Sequence, residues 1–167
     1  MYDELTEVDI RKMQEEIRYR MHEVRPKLIA DLQHARAFGD LSENYEYKAA
    51  KQELRKCDSR LRYLKRMIAT AKVIKISGDA DTVGLFDRVE IYYEEDDESE
   101  VVELVTTLRQ DALKSYISKE SPLGKALMGK KVGDRVLVKA SADYSYYVVI
   151  RSITKGEDNE SLPISSF

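Results

Sequence analysis

The chain has 167 residues, 43% apolar and 35% charged, with a formal net charge of −3, a composition that fits a folded globular protein and excludes a disordered one. No apolar run approaches the roughly 20 residues of a membrane span, and the acidic start Met1-Tyr2-Asp3-Glu4 lacks the apolar stretch of a signal peptide. One cysteine and two histidines, Cys57, His22 and His34, exclude an internal disulfide and a zinc site of ordinary spacing, and fit a reducing cytoplasm.

The first half reads as two helices. In the first, Met13, Ile17, Met21, Val24, Leu28, Leu32 and Ala35 form an apolar stripe, and Pro26 is expected to bend it by removing a backbone donor. In the second, Tyr47, Ala50, Leu54, Cys57, Leu61, Leu64 and Ile68 repeat at alternating intervals of three and four, the seam of a coiled coil. Two such seams joined by a short connection predict an antiparallel hairpin, about 40 Å long at 1.5 Å per residue. Residues 1–76 hold 17 Lys/Arg against 13 Asp/Glu, a net of +4, whereas the remainder carries −7. The basic side chains Arg55, Lys56, Arg60, Arg62, Lys65 and Arg66 fall outside the seam. They are open to two readings, contact with a phosphate backbone or ordinary solubilising charge.

Between the helices runs Ala35-Arg36-Ala37-Phe38-Gly39-Asp40-Leu41-Ser42-Glu43-Asn44-Tyr45-Glu46-Tyr47. Gly39 is placed to end the first helix in the left-handed conformation. Asp40 and Glu43 have the spacing of a capping box, in which both side chains would satisfy free N–H groups at the start of the second helix. Two carboxylates on one short turn can also hold a Mg²⁺ ion through one or two oxygens, or orient a water as nucleophile. The two readings are compatible and both stand. Tyr45 is a candidate to stack on a base, while Tyr47 and Cys57 belong to the seam.

After Ile76 the texture changes. A polar linker, 77–82, leads into strands at Asp87–Tyr93, Val101–Val105, Tyr116–Ser118, Arg135–Lys139 and Tyr146–Ile153, rich in Val, Ile and Tyr. The acidic run Glu94–Glu98 reads as a solvated hairpin loop. Ser121 at the N-cap and Pro122 at the first position open a short helix, closed by Gly129 and Gly133. The fold class is α+β: a hairpin over 1–76, a linker over 77–82, an α+β domain over 83–155, and a flexible tail over 156–167.

Gly39-Asp40-Leu41-Ser42-Glu43-Asn44-x-Glu46-Tyr47-x-x-Ala50 resembles the tip signature of the GreA/GreB family of bacterial transcript cleavage and elongation factors. Arg25-Pro26-x-Leu28-Ile29, Ala71-x-Val73-Ile74 and the stretch from Ile117-Ser118 through Ser121-Pro122-Leu123-Gly124 to Gly133-Asp134 resemble further family motifs. The resemblance spans residues 5–153 and implies an FKBP-like α+β second domain. It implies a partner, bacterial RNA polymerase, with Ser121 and Pro122 docking on the rim of its secondary channel. It implies that Asp40 and Glu43 help hold a Mg²⁺ ion shared with the polymerase active centre, at the nascent RNA 3′ end, with Arg55 and Arg62 as candidate RNA contacts. No autonomous activity is expected, and the free protein is expected to be monomeric.

Three departures from the family pattern stand out. Its opening Leu-Thr-x-x-Gly becomes Leu5-Thr6-Glu7-Val8-Asp9. Its Val-Gly-x-x-Glu-Ala-Asp becomes Val105-Thr106-Thr107-Leu108-Arg109-Gln110-Asp111. A late Pro-x-Gly turn becomes Ala140-Ser141-Ala142-Asp143. Two rival functions remain. One is a non-catalytic channel binder that inhibits polymerase, against which the intact tip pair speaks. The other is a prolyl isomerase, for which three Phe and no Trp supply few of the pocket-lining rings such chemistry needs.

Overall fold

The computed structural model describes residues 3–39, 44–76 and 78–166. The chain divides into two compact units, Met1–Asp9 with Lys72–Phe167, and Ile10–Ala71. Residues 3–9 thus belong to the globular unit, not to the hairpin as the sequence suggests. Pairing explains the difference: strand β1 (Glu4–Leu5) runs parallel to β2 (Lys72–Val73), and Leu5 is fully buried.

The helical unit is built from α1 (Glu7–Tyr19), a π turn (Arg20–Val24), α2 (Arg25–Arg36) and α3 (Tyr45–Thr70). The two arms are antiparallel: Glu16 meets Arg60, Arg25 meets Asp58, and Ala35 meets Asn44. Cys57, Leu61 and Leu64 of the predicted seam are buried, as are Met13 and Ala35. Two seam assignments shift. Met67 is buried next to a half-buried Ile68, and Met21 is 44% exposed.

Met21 lies in the π turn, where the Arg25 N–H donates to the Arg20 carbonyl five residues back. Pro26 has no N–H, and its ring would crowd the carbonyl four residues before it. A wider turn just ahead of the proline relieves that crowding and rotates the stripe past Met21.

Arg60 is only 6% exposed, which corrects its place among the solvent-facing cations. Its Nε and one terminal nitrogen donate to the two oxygens of Glu16 at 3.1 and 3.0 Å. Burial pushes the Glu16 carboxyl up, but hydrogen bonds from Arg60 and Arg20 outweigh it and hold the carboxyl below its ordinary 4.5. A lowered folded pKa means that the stabilisation is complete above pH 4.5 and is lost as pH falls through the folded value. Hairpin melting should therefore soften as pH falls below about 4.5 through the lowered folded value, and Glu16→Gln should remove that share of the acid sensitivity. Circular dichroism melts across that range check this; an unchanged acid response in the variant would refute it.

In the globular unit, β3 (Arg88–Tyr93), β4 (Glu98–Val105), β5 (Tyr116–Ser118), β6 (Arg135–Lys139) and β7 (Ser145–Thr154) form one sheet in the order β5-β4-β3-β7-β6. Only the β4–β5 pair is parallel. Alternation sends Val89, Ile91, Val102, Leu104, Val136, Val138, Val148 and Ile150 to one face, where Leu123 and Leu127 of α4 (Pro122–Leu127) cover them. Each fully buried aliphatic side chain of this kind contributes about 1.5–3 kcal/mol. The acidic run turns between β3 and β4, with Tyr93 opposite Glu98 and Asp97 at φ 52°.

The tail differs from expectation. Leu162 joins Leu85, Phe86 and Val105 in a second apolar cluster, and the Ser165 N–H donates to the Leu108 carbonyl. The Asn159 carbonyl accepts from Arg109, a fully buried cation that needs such partners, and Asp158 forms an ion pair with it. Residues 158–165 are therefore packed within the globular unit.

Candidate functional site

The far end of the hairpin is built from the last turn of α2 and the first of α3. Past Arg36 the Ala37 and Phe38 N–H groups donate to His34 and Ala35, and Gly39 sits at φ +107°. A side chain is disfavoured in that conformation, as the sequence predicts for the residue ending this helix. Asp40 and Glu43 lie outside the described residues, as do Leu41 and Ser42.

The chain resumes at Asn44, which is the N-cap of α3. Its Oδ1 accepts from the Tyr47 N–H at 3.0 Å, and its Nδ2 donates to the Ala35 carbonyl at 2.7 Å. One amide therefore satisfies a free donor of the opening helix and adds a second bond to a carbonyl in the last turn of the closing one. The capping-box reading puts this task on Asp40 and Glu43; the cap is instead Asn44. Asn is among the strongest N-cap residues, whereas the Asp40/Glu43 spacing points four residues upstream. Asn44→Ala should cost about 1 kcal/mol of hairpin stability, read as a lower melting temperature. Asn44→Asp should restore the Tyr47 bond but not the donor to Ala35, and so recover only part. Full recovery would show that the Ala35 bond contributes nothing.

Around this turn the described side chains include cations and aromatic rings beside the exposed carboxylate Glu46. Tyr45 is 82% exposed with the Lys48 ammonium 5.7 Å from its ring centroid. Tyr47 is half-buried, with Arg36 at 5.8 Å and Lys51 at 5.9 Å. Arg55 and Arg62 are both exposed on α3. Lys56 pairs with Glu53 one turn earlier. Among the described residues, no three His, Cys, Asp or Glu side chains gather so as to hold a metal ion.

Ser121 and Pro122 stand on the other unit. The Ser121 hydroxyl accepts from the Gly124 N–H at 3.0 Å and donates to the Ser118 carbonyl at 2.7 Å. A Cβ at Gly124 would come within 2.1 Å of that carbonyl, so only glycine allows helix and strand to approach this closely. Ser121 is thus committed to local bonds, and exposed Pro122 is the side chain this turn presents. Beside it, Lys119 pairs with Glu4 and Glu120. The hydrogen bond from Lys119 holds the Glu4 carboxyl below the ordinary carboxylate range.

A family model described as "Transcription elongation factor, N-terminal" matches residues 4–73, and one described as "Transcription elongation factor, GreA/GreB, C-term" matches residues 78–155. The transcription elongation factor GreA of Rhizobium etli is 38% identical over 143 residues, covering 84% of this chain and 89% of its own. That of Mesoplasma florum is 36% identical over 143 residues, covering 84% and 92%. Among solved structures, the GreA factor homolog 1 protein of Thermus thermophilus is 23% identical, with a TM-score of 0.43 over 93% of this chain and 100% of its own. The chain belongs to the GreA/GreB family of transcription elongation factors.

Proposed function

We propose that this protein binds bacterial RNA polymerase at the secondary channel and stimulates Mg²⁺-dependent cleavage of the nascent RNA 3′ end in backtracked complexes. The observation that carries the reading is the division of labour at the hairpin end. Asn44 already caps α3, so the acidic pair Asp40 and Glu43 is not required for that task. Two carboxylates suit Mg²⁺, which keeps several waters and takes one or two protein oxygens, with further ligands from a partner. The ion, held jointly with the polymerase, would supply an activated water and charge neutralisation at the scissile phosphate. Asp40 and Glu43 would supply the oxygens and orient the water. The cations at Arg36, Lys48 and Lys51, with Arg55 and Arg62 further along α3, would draw the RNA backbone towards the turn.

The direct test adds the protein to a stalled, backtracked bacterial elongation complex. RNA shortening that depends on both the protein and Mg²⁺ supports the proposal. Inhibition without shortening would favour a non-catalytic channel binder.

Docking is assigned to the turn at Ser121 and Pro122. Because Ser121 is bonded at both ends, its contribution is to hold the knuckle on which Pro122 is displayed. Pro122→Ala should weaken polymerase binding about tenfold in a competition assay while leaving hairpin melting unchanged. Ser121→Leu should do the same with an added loss of about 1 kcal/mol in the globular unit. Unchanged affinity in both variants would move the docking surface elsewhere.

A further inference from the structure

A second feature of the globular unit is a concave site of about 110 Å³ lined by Tyr93, Tyr144, Tyr146, Tyr147, Glu95 and Asp96. Tyr93 ends β3, Tyr146 lies in the first turn of β7, Tyr144 precedes that strand, and the two acids come from the hairpin loop between β3 and β4. The Tyr146 ring is 5.9 Å from that of Tyr93 and 5.7 Å from that of Tyr144. The hydroxyls are turned to carboxylates: Tyr93 donates to Glu100 at 2.8 Å and Tyr144 to Glu95 at 2.8 Å. Burial first, and then Glu100, push the Tyr93 hydroxyl well above its ordinary value, so it stays protonated and donating. A phenol that donates to a carboxylate has a more electron-rich ring, and the face of such a ring attracts cations.

The protein's own cations do not use these three rings. Arg151 stands over Tyr92 at 4.4 Å and Arg135 over Tyr147 at 3.6 Å. Among the described residues, no Lys or Arg stands over Tyr93, Tyr144 or Tyr146. Three rings, two of them made electron-rich by carboxylates, and the side chains of Glu95 and Asp96 thus frame a space the size of one ammonium or guanidinium group without one of the protein's own.

We propose that the Tyr93/Tyr144/Tyr146 cage, with Glu95 and Asp96 at its edge, binds a single Lys or Arg side chain presented by a protein partner. The assignment is independent of the hairpin carboxylates. Charge complementarity supports it, since residues 77–167 hold 11 Lys/Arg against 18 Asp/Glu and attract basic segments.

The test is an amide and side-chain NMR titration of the full chain with a blocked arginine tripeptide and a blocked lysine tripeptide. Tetramethylammonium chloride and sodium chloride serve as comparison salts. Saturable shifts centred on Tyr93, Tyr144 and Tyr146, with a Kd on the order of millimolar, are expected for at least one peptide. Tyr144→Ala, in an exposed loop position, should weaken binding about threefold to fivefold, and Tyr144→Phe, which keeps the ring, should retain most of it. Glu95→Gln should weaken it to a similar degree. Shifts that follow sodium chloride, binding of tetramethylammonium but neither peptide, or affinity indifferent to Tyr144→Ala would each overturn the proposal.

Discussion

Asp40→Asn or Glu43→Gln is expected to slow protein-stimulated RNA cleavage about a hundredfold or more, while polymerase binding and hairpin melting stay close to those of the unmodified chain. Each change removes one anionic oxygen and little else. Asn and Gln match the shape of the acids and can hydrogen-bond, so a role in local backbone bonding would survive them. A role in holding Mg²⁺ would not, because a neutral amide oxygen is a far weaker ligand for a hard cation. Asn44 strengthens the comparison, since the α3 cap does not depend on either carboxylate. Raising Mg²⁺ should recover part of the lost rate, as mass action refills a weakened site. Cleavage rate against Mg²⁺ concentration, with affinity measured by competition, distinguishes the cases. Amide variants that cleave as fast as the unmodified chain would leave the tip without a metal role.

The elements that local rules govern were legible in the sequence. β5 and β6 coincide with their predicted spans, and Ser121 and Pro122 open α4 as expected, because alternation and capping are properties of a few consecutive residues. The hairpin was legible for the same reason, since its seam repeats along one helix. What stayed hidden depends on residues distant in sequence. Arg60 reads as a surface cation until Glu16 is brought to it from the other arm. Nothing in 156–167 marks it as packed, because Leu162 and Asp158 find their partners on β4 and on the turn that follows it.

The clearest such case joins two of the departures from the family pattern. Asp9 stands where the family has glycine and Arg109 where it has glutamate, and each alone looks like a loss. In the fold they are one interaction: the Arg109 Nε donates to Asp9 Oδ1 at 2.6 Å, with both side chains fully buried. The carboxylate at position 9 and the cation at position 109 satisfy each other across 100 residues, which no single-sequence pattern can reveal. Asp9 also exchanges bonds with Thr6, whose N–H it accepts at 3.0 Å and whose hydroxyl accepts its N–H at 3.3 Å. This reciprocal pair stands at the start of α1, and Arg109 joins it to the turn after β4 within the globular unit.

Arg109→Met should therefore destabilise the globular unit by about 3–5 kcal/mol, the usual cost of stranding a buried charge. Arg109 donates to three acceptors at once, Asp9, the Thr6 hydroxyl and the Asn159 carbonyl, and pairs with the Asp158 carboxylate. Its guanidinium also lies 5.0 Å from the Phe86 ring centroid. Methionine fills the volume but leaves Asp9, with no exposed surface, facing an apolar chain. The melting transition of this unit should fall by more than about 10 °C. Asp9→Asn in the same chain should recover part of the loss, because it discharges the stranded carboxylate while still accepting from Thr6. Urea unfolding of both single variants and the double variant, followed by hydrogen exchange of the β3 and β7 amides, measures that coupling. If the double variant loses the sum of the two single losses, Asp9 and Arg109 act separately, and the paired-departure account of this domain is wrong.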